Sequence, residues 1–183
     1  ETDGDIGVNY DHTLPGTSNV EKAFLWLISK EGLSLTPAQA AGVIGNFLVE
    51  SGKGKGELRD IYPTEKNPTA EASEGIAQWN PDKRYRRLQT LKIYAAEILQ
   101  PKVDYRTMYA QLNYVKYEMT NTKIRAFLGD LGLSALKETY SPEAAAKVFM
   151  LKFEKPSADP KVNHIAMRMK YAREVYVKYG GYA

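Results

Sequence analysis

Apolar side chains recur at helical spacing in the first part of the chain. They begin after Asn19, whose side chain can cap the free amides of a helix start. The residues that share this spacing are Ala23, Phe24, Leu27 and Ile28. Gly32 is placed to end the helix. The pattern therefore predicts an amphipathic helix that starts at about Asn19.

A second apolar stripe follows a strong helix-start signal. Thr36-Pro37 places a capping side chain before a proline at the first helical position. The stripe consists of Ala40, Val43, Ile44, Phe47 and Leu48. It predicts a helix that reaches about Glu50. Small residues in this helix would permit close approach by a neighbouring element; they are Ala41, Gly42 and Gly45.

The helical pattern breaks between Ser51 and Gly75. Glycine and proline interrupt this segment at Gly52, Gly54, Gly56, Pro63 and Pro68. We predict a long irregular loop that holds at most a small hairpin of two short strands. A loop of this length inside a compact domain is usually functional or disordered.

Helical patterns dominate the rest of the chain. They predict helices over the ranges 82–89, 91–99 and 105–119, a helix from Ser141-Pro142 to about Phe153, and a last helix over 163–179. Residues 1–18 lack apolar periodicity and predict a flexible N-terminal arm, so that the folded domain covers residues 19–183. The expected fold class is mainly α, with one irregular insertion directly after the second helix.

Composition limits the possible function classes. The chain has 183 residues, of which 43% are hydrophobic, so one domain can bury a sizeable core. It has no cysteine, which excludes disulfides, thiolate catalysis and zinc–thiolate sites. No stretch approaches the roughly 18 apolar residues of a membrane span. The start at Glu1, without a Met or a signal segment, is typical of a processed or trimmed chain.

The histidines give no sign of a metal site. His12 and His164 are the only two in the chain, and they are far apart, without a ligand spacing such as His-x-x-x-His. We therefore predict no metal and no organic cofactor.

A basic cluster with two aromatic residues follows the irregular loop. It consists of Lys83, Arg84, Arg86, Arg87 and Lys92, with Tyr85 and Tyr94. The net charge of +3 and this cluster fit a polyanion, whether nucleic acid or cell-wall polymer. Because acidic residues dilute the cluster and no nucleic-acid motif accompanies it, we expect a solvated helix face, no nucleic-acid partner, and a possible contact with anionic wall polymer.

Glu50 is the first candidate for chemistry. It ends an apolar helix, where the negative pole of the helix dipole and apolar neighbours disfavour the charged carboxylate. These are the conditions under which a general acid keeps its proton at neutral pH. An exposed helix-terminal glutamate is the ordinary alternative, so this position alone does not identify an active site.

Three segments read together resemble the phage tail lysozyme family, a group of lysozyme-like peptidoglycan hydrolases. They are the Glu-Ser helix end in residues 45–52, the Gly-x-x-Gln motif in residues 75–79, and Phe-Glu-Lys-Pro in residues 153–156, followed by a basic helix with Arg168 and Tyr171. In this order they cover roughly residues 19–179. The resemblance implies an α+β lysozyme-like fold, within the mainly α class.

The resemblance also implies roles for individual residues. Glu50 would donate a proton to the glycosidic oxygen of the β-1,4 bond between N-acetylmuramic acid and N-acetylglucosamine. Ser51 would help to hold the local backbone, and Gln78 would bind the substrate or position the acid across the cleft. Gly75 would let the backbone approach a sugar. Trp79 would offer an aromatic face to a sugar ring or, alternatively, pack in the core.

The sequence does not decide which residue, if any, is the second catalytic carboxylate. Retaining glycosidases place a nucleophile about 5 Å from the acid, and inverting ones place a base at roughly 6.5–9.5 Å. Acidic residues in or just beyond the loop are Glu57, Asp60, Glu65, Glu71, Glu74 and Asp82. Glu74, just before the motif glycine, and Asp60 are the candidates, although each also suits a solvated loop charge. Without either, a lytic transglycosylase is possible, in which a hydroxyl of the substrate attacks.

Glu154 is interpreted as structural, capping backbone amides or pairing with Arg168 or Arg173. Because a fold does not guarantee activity, a non-catalytic wall-binding module is the rival function. The expected partner is the peptidoglycan glycan strand, with a phage-tail, conjugation or secretion assembly as the larger setting. The implied location is extracellular, at the cell wall or on a virion.

Overall fold

The computed structural model describes residues 10–52, 73–156 and 158–182. These residues are mainly helical and contain no β-strand, which confirms the mainly α class. The helices are α1 (Asn19–Ile28), α2 (Pro37–Ser51), α3 (Arg87–Ile93), α4 (Met108–Thr120), α5 (Thr122–Leu128), α6 (Leu133–Lys137), α7 (Pro142–Phe149), α8 (Pro160–Asn163) and α9 (Ile165–Tyr179). Short π-helical turns continue two of them: Tyr94–Ile98 follows α3 and Met150–Glu154 follows α7.

Helix α2 lies at the centre of the core. Thr36 and Gln39 form a capping box at its start, as Thr36-Pro37 led us to expect. Its small residues bring two neighbours very close: a Cβ on Gly42 would lie 2.4 Å from the Ala145 Cβ of α7. A Cβ on Gly45 would lie 2.4 Å from the carbonyl oxygen of Arg168 in α9. The predicted close approach is confirmed.

The N-terminal segment differs from its prediction. The cap of α1 is Ser18, whose hydroxyl accepts a hydrogen bond from the Glu21 amide at 3.1 Å, and Asn19 is the first helical residue. Residues 10–13 form a 3₁₀ turn. The Asp11 carboxylate there accepts hydrogen bonds from two backbone amides at the start of α4, at 2.8 and 2.9 Å. In residues 10–18 the chain is therefore packed on the domain, unlike the loosely held arm that composition indicates.

The predicted helices over 82–89 and 91–99 are replaced by a turn and one continuous helical segment. The Asp82 carboxylate accepts hydrogen bonds from the amides of Arg84 and Tyr85, which closes a turn in place of a helix. Arg86 has a positive φ of 52°, and α3 begins after it. Helix α4 starts at Met108, later than predicted, because Thr107 provides its cap.

The irregular loop falls largely on residues 53–72, outside the described residues. After it, residues 74–79 form a tight turn in which the backbones of Glu74 and Trp79 pair at 2.9 and 3.1 Å. Gly75 and Gln78 have positive φ values of 88° and 51° in this turn. The small hairpin predicted between Ser51 and Gly75 falls on residues that lie mostly outside the described ones.

The C-terminal helices follow the prediction closely. Helix α7 and its π turn cover the range expected to end near Phe153. The last predicted helix is interrupted at His164, which has a positive φ of 57° between α8 and α9. Two short helices, α5 and α6, were not predicted.

Candidate active site

Glu50 lies in the last turn of α2 and is paired with an arginine from α9. The Arg168 guanidinium donates a hydrogen bond from Nη2 to Glu50 Oε1 at 2.7 Å. The Glu50 side chain is 21% exposed, whereas that of Arg168 is only 3% exposed. The carboxyl group thus reaches the surface while its cationic partner stays inside the protein.

Arg168 is fixed by other hydrogen bonds. Its Nε donates to the carbonyl oxygen of Asn163 at 2.8 Å, and its Nη1 donates to Asn46 Oδ1 at 3.0 Å. Asn46 is buried, and its amide donates to the carbonyl oxygens of Gly42 and Ala146, both at 3.0 Å. The guanidinium therefore holds Glu50 from a position set by α2, α7 and the end of α8.

The apolar neighbours expected around Glu50 are those of its own helix. Its partner from α9 is the charged Arg168. From the sequence, Arg168 was expected to pair with Glu154, not with Glu50. The signal that could have found the pair is the spacing in α9, where Arg168 shares the buried face of Ala172, Val175 and Tyr179. An arginine on a buried helix face needs a partner for its charge.

Glu154 lies at the end of the π turn that follows α7. Its side chain is half-buried, and its Oε1 is buried without a hydrogen-bond partner among the described residues. Burial and the nearby charge of Glu50 raise the pKa of the Glu154 carboxyl well above its usual range, although the cations Arg168 and Arg87 act in the opposite direction.

This arrangement differs from the structural role predicted for Glu154. No amide or arginine donates to its Oε1 in the described residues. Arg173, one predicted partner, pairs with Glu143 at 2.6 Å instead. The other predicted partner, Arg168, gives its described hydrogen bonds to Glu50, Asn46 and Asn163.

A buried chain of contacts leads from Trp79 towards Glu154. The Trp79 indole donates to Glu118 Oε1 at 2.7 Å, and Arg87 donates to both oxygens of Glu118 at 2.8 and 2.9 Å. Arg87 also donates to the carbonyl oxygen of Phe153 at 3.0 Å. Glu118 was not predicted from the sequence, although helical spacing puts it on the buried face of α4 with Gln111, Tyr114 and Val115.

Trp79 is 2% exposed and packs edge-on against Tyr114. A side chain buried to this extent has no ring face free for a sugar. Core packing, the alternative left open for Trp79, therefore describes it in this structure. Arg87 was also predicted to belong to a surface cluster of basic residues. Its side chain is instead largely buried against Glu118.

Two neighbouring side chains contact the carboxylate of Glu74. Its Oε1 accepts a hydrogen bond from the Tyr105 hydroxyl at 3.1 Å, and its Oε2 lies 3.7 Å from Lys92 Nζ. Burial, together with the charge of Glu74, raises the pKa of Tyr105 to about 12, so the phenol keeps the proton that it donates. Asp60, like the other candidates Glu57, Glu65 and Glu71, lies outside the described residues.

The remaining predicted site residues make local contacts. The Ser51 hydroxyl is buried and donates to the carbonyl oxygen of Phe47 at 2.9 Å. The Gln78 amide donates to the carbonyl oxygen of Gly75 at 2.9 Å. A Cβ on Gly75 would lie 2.9 Å from the Trp79 ring and from Gln111 Oε1, so the close approach seen at this glycine is to the protein itself.

A mainly helical domain with a partly exposed carboxyl at the end of its central helix has the features of the lysozyme-like class. The chain belongs to the phage tail lysozyme family, which it matches over residues 18–179. Comparison with curated proteins gives no match. Family membership supports a peptidoglycan-degrading, lysozyme-like enzyme associated with a virion or cell wall. Within the described residues, none of the helices has the length and apolar character needed to cross a membrane.

Proposed function

We propose that the protein cleaves the β-1,4 bond between N-acetylmuramic acid and N-acetylglucosamine in peptidoglycan, with Glu50 as the general acid. The observation that carries this proposal is the setting of Glu50: a partly exposed carboxyl group at a helix end, held by a buried and fixed guanidinium. Membership of the phage tail lysozyme family supplies the substrate class.

The Arg168 contact gives the two oxygens of Glu50 different roles. Oε1 accepts the guanidinium hydrogen bond, so Oε2 is the oxygen that delivers the proton to the departing glycosidic oxygen. Positive charge then develops on the muramic ring as the bond breaks. Arg168 stabilises the Glu50 carboxylate that remains, and it does so without reorganisation because its other hydrogen bonds already fix it.

Glu74 and Asp60 are the proposed candidates for a second carboxylate that completes the reaction. Glu74 would have to act beside the Lys92 ammonium and the Tyr105 hydroxyl, which donates a hydrogen bond to it. A carboxyl group with a cation and a hydrogen-bond donor beside it suits the role of base or nucleophile better than that of acid. If neither residue takes part, the same Glu50 chemistry gives a lytic transglycosylase, with the attacking hydroxyl supplied by the substrate.

The proposal also includes the residues that would contact the substrate. Ser51, Gly75 and Gln78 border the two segments between which the glycan strand would lie, and the half-buried Gln78 side chain is the most accessible of the three. The wall polymer is the proposed partner, at an extracellular location, on a phage tail or in a conjugation or secretion assembly. We propose no role for a metal, a cofactor or nucleic acid.

Replacing Glu50 by glutamine tests the proposal. The amide keeps the shape of the side chain and can still accept a hydrogen bond from Arg168, but it cannot donate the proton as an acid does. We expect Glu50→Gln to lose a factor of about 10²–10⁴ in the rate of clearing purified peptidoglycan while the fold is kept, with a lower melting temperature because the buried Arg168 loses its counter-charge.

Glu143→Gln is the matched control, because Glu143 also pairs with an arginine but lies on the surface. It should clear peptidoglycan like the unmodified protein. If Glu50→Gln and Glu143→Gln were equally active, Glu50 would not be the acid. Sedimentation with peptidoglycan but no clearing by the unmodified protein would identify a non-catalytic wall-binding module.

A further inference from the structure

Two aromatic side chains lie exposed and in contact with each other on the surface of the domain. Phe127, in α5, is 58% exposed, and Tyr85, in the turn before α3, is 40% exposed. Their ring centroids are 6.4 Å apart and the ring planes are inclined by 66°, which is an edge-to-face contact. Because apolar ring surface gains free energy when it leaves water, an exposed pair of rings is a candidate for ligand contact.

Hydrogen bonds fix both segments that carry these rings. The Asp82 carboxylate closes the turn before α3, since it accepts from the amides of Arg84 and Tyr85 at 2.8 and 2.6 Å. Helix α5 ends directly after the second ring, and there Lys155 Nζ donates to the carbonyl oxygen of Leu128 at 3.3 Å. The two rings are therefore presented from a closed turn and from a helix end that is tied to the Phe-Glu-Lys-Pro segment.

The surface around the rings is positively charged. The Arg84 guanidinium lies 5.0 Å from the centre of the Tyr85 ring, which is a cation–π distance. Neither Arg84 nor Lys155 forms a salt bridge with a carboxylate of the described residues. The segments that carry the rings and the two cations, residues 82–86, 122–130 and 152–155, contain seven basic and three acidic side chains. This surface therefore combines open aromatic area with an excess of positive charge.

We propose that this surface, the aromatic patch formed by Tyr85, Phe127, Arg84 and Lys155, binds the wall glycan in addition to the residues proposed at the Glu50 site. Its ligand class is an anionic polysaccharide. The rings contact sugar rings, and the cations face the carboxylates that peptidoglycan carries on its peptides. The inference rests on the proposed substrate of the enzyme, and it is independent of the catalytic role of Glu50.

The chemistry of a sugar ring fits the two kinds of group in the aromatic patch. A pyranose has C–H groups on its faces and hydroxyl groups at its rim. The C–H face gains free energy against an aromatic ring, while the hydroxyl groups stay in water. A polymer of repeating sugars can contact both rings and the cations at once, so that several weak contacts add to one useful affinity.

Single-stranded nucleic acid is the other polyanion that contacts aromatic rings and cations. The glycan is favoured because the chain belongs to the phage tail lysozyme family, whose substrate class is peptidoglycan. An enzyme that cuts an insoluble polymer also gains from a contact that keeps it on the polymer between cuts.

Buried contacts connect the aromatic patch to one side of the proposed groove. Tyr85 lies two residues before Arg87, whose guanidinium donates to both oxygens of Glu118. Glu118 also accepts from the indole of Trp79, next to Gln78 in the Gly-x-x-Gln turn. The patch and that turn are therefore attached to the same buried framework.

Sedimentation with purified peptidoglycan tests the aromatic patch. Tyr85→Ala and Phe127→Ala each remove ring surface that is largely exposed, so we expect folded variants whose binding is about threefold to tenfold weaker. Binding is measured after a brief incubation on ice, before clearing is detectable. Tyr140→Ala is the matched control, since Tyr140 is 95% exposed and directly precedes α7, at the opposite end of this helix from Lys155. It should bind like the unmodified protein.

The charge of the patch has a separate test. Binding of the unmodified protein should weaken as NaCl is added, because salt screens the attraction between exposed charges. Arg84→Gln should reduce this dependence on salt. An identical dependence in Arg84→Gln would contradict the part of the proposal that concerns charge.

The outcomes for the patch are distinct from those for catalysis. Weaker binding of Tyr85→Ala and Phe127→Ala, with Tyr140→Ala unchanged, supports the patch even if the unmodified protein clears no peptidoglycan. Equal binding by all four proteins overturns it even if the unmodified protein is active, and so does a lack of sedimentation by the unmodified protein. Single-stranded DNA that binds more tightly than peptidoglycan, and loses affinity in the same variants, would also overturn it by assigning the patch to nucleic acid.

Proton NMR provides a readout in the unmodified protein, which does not depend on how the variants fold. The probe is a soluble disaccharide of N-acetylglucosamine and N-acetylmuramic acid that carries its peptide. The ring protons of Tyr85 and Phe127 should shift as the probe is added, and those of Tyr140 should not. Titration without a shift of either ring would overturn the proposal.

Discussion

Glu50 and Arg168 illustrate what a single residue reveals before the fold is known. Glu50 could be selected from the sequence because it ends a regular apolar stripe and belongs to a recognisable Glu-Ser helix end. Arg168 was noted within a family-like segment, but its contact with Glu50 joins residues 118 positions apart. Such a contact depends on the packing of α2 against α9, which spacing within one helix does not specify.

The role of Trp79 and the direction of the Glu154 side chain could not be inferred from the residues alone. A tryptophan suits both a sugar platform and a core, and only its position beneath Tyr114 and Glu118 decides between them. The direction of Glu154 follows from the π turn, whose extra residue shifts the register set by α7. The amino-acid pattern does not reveal that shift.

Trp79→Phe tests the packing role. Phenylalanine keeps an aromatic ring but lacks the indole N–H that donates to Glu118, and it fills less space. We expect a loss of about 1–3 kcal/mol in the free energy of unfolding, measured by urea denaturation, with KM for glycan fragments unchanged. A large rise in KM at unchanged stability would instead show that the indole contacts the sugar.

At the scale of elements, the contact between α2 and α9 places the acid beside its cation. Gly45 permits this contact, since any Cβ there would meet the backbone of α9 at Arg168 and at Ala172. The small-residue pattern predicted a close neighbour, but it did not say which helix. Elements without a strong apolar stripe, α5 and α6, escaped prediction; α5 has no buried residue and α6 has one.

Gly45→Ala should therefore affect stability and activity together. The new methyl group must push α9 away from α2, which should cost about 1–3 kcal/mol in the free energy of unfolding. It should also lower kcat, because Arg168 moves with α9. Gly181→Ala is the control: a Cβ there meets nothing within 4 Å, so stability and kcat should not change. Equal melting temperatures for the two variants would show that the helices tolerate a wider separation.

At the scale of the whole molecule, the fold class and the family followed from sequence because helix starts and the three motifs are local signals. Thr36-Pro37 and Ser141-Pro142 each open the helix they predict. Which bond is cleaved, and whether the product has a reducing or an anhydro end, depend instead on groups that come together from distant segments of the chain. Asp60 and three other acidic residues of the loop, Glu57, Glu65 and Glu71, lie outside the described residues, so the second carboxylate stays a prediction.

The most direct test of the central claim is mass spectrometry of the muropeptides released from purified peptidoglycan by the unmodified protein and by Glu50→Gln. We predict fragments with N-acetylmuramic acid at the cleaved end, from the unmodified protein only. Reducing ends would identify a hydrolase, and anhydro ends, lighter by one water, a lytic transglycosylase; both agree with Glu50 as the acid. Identical fragments from Glu50→Gln, or no cleavage of the glycan strand by the unmodified protein, would contradict the claim.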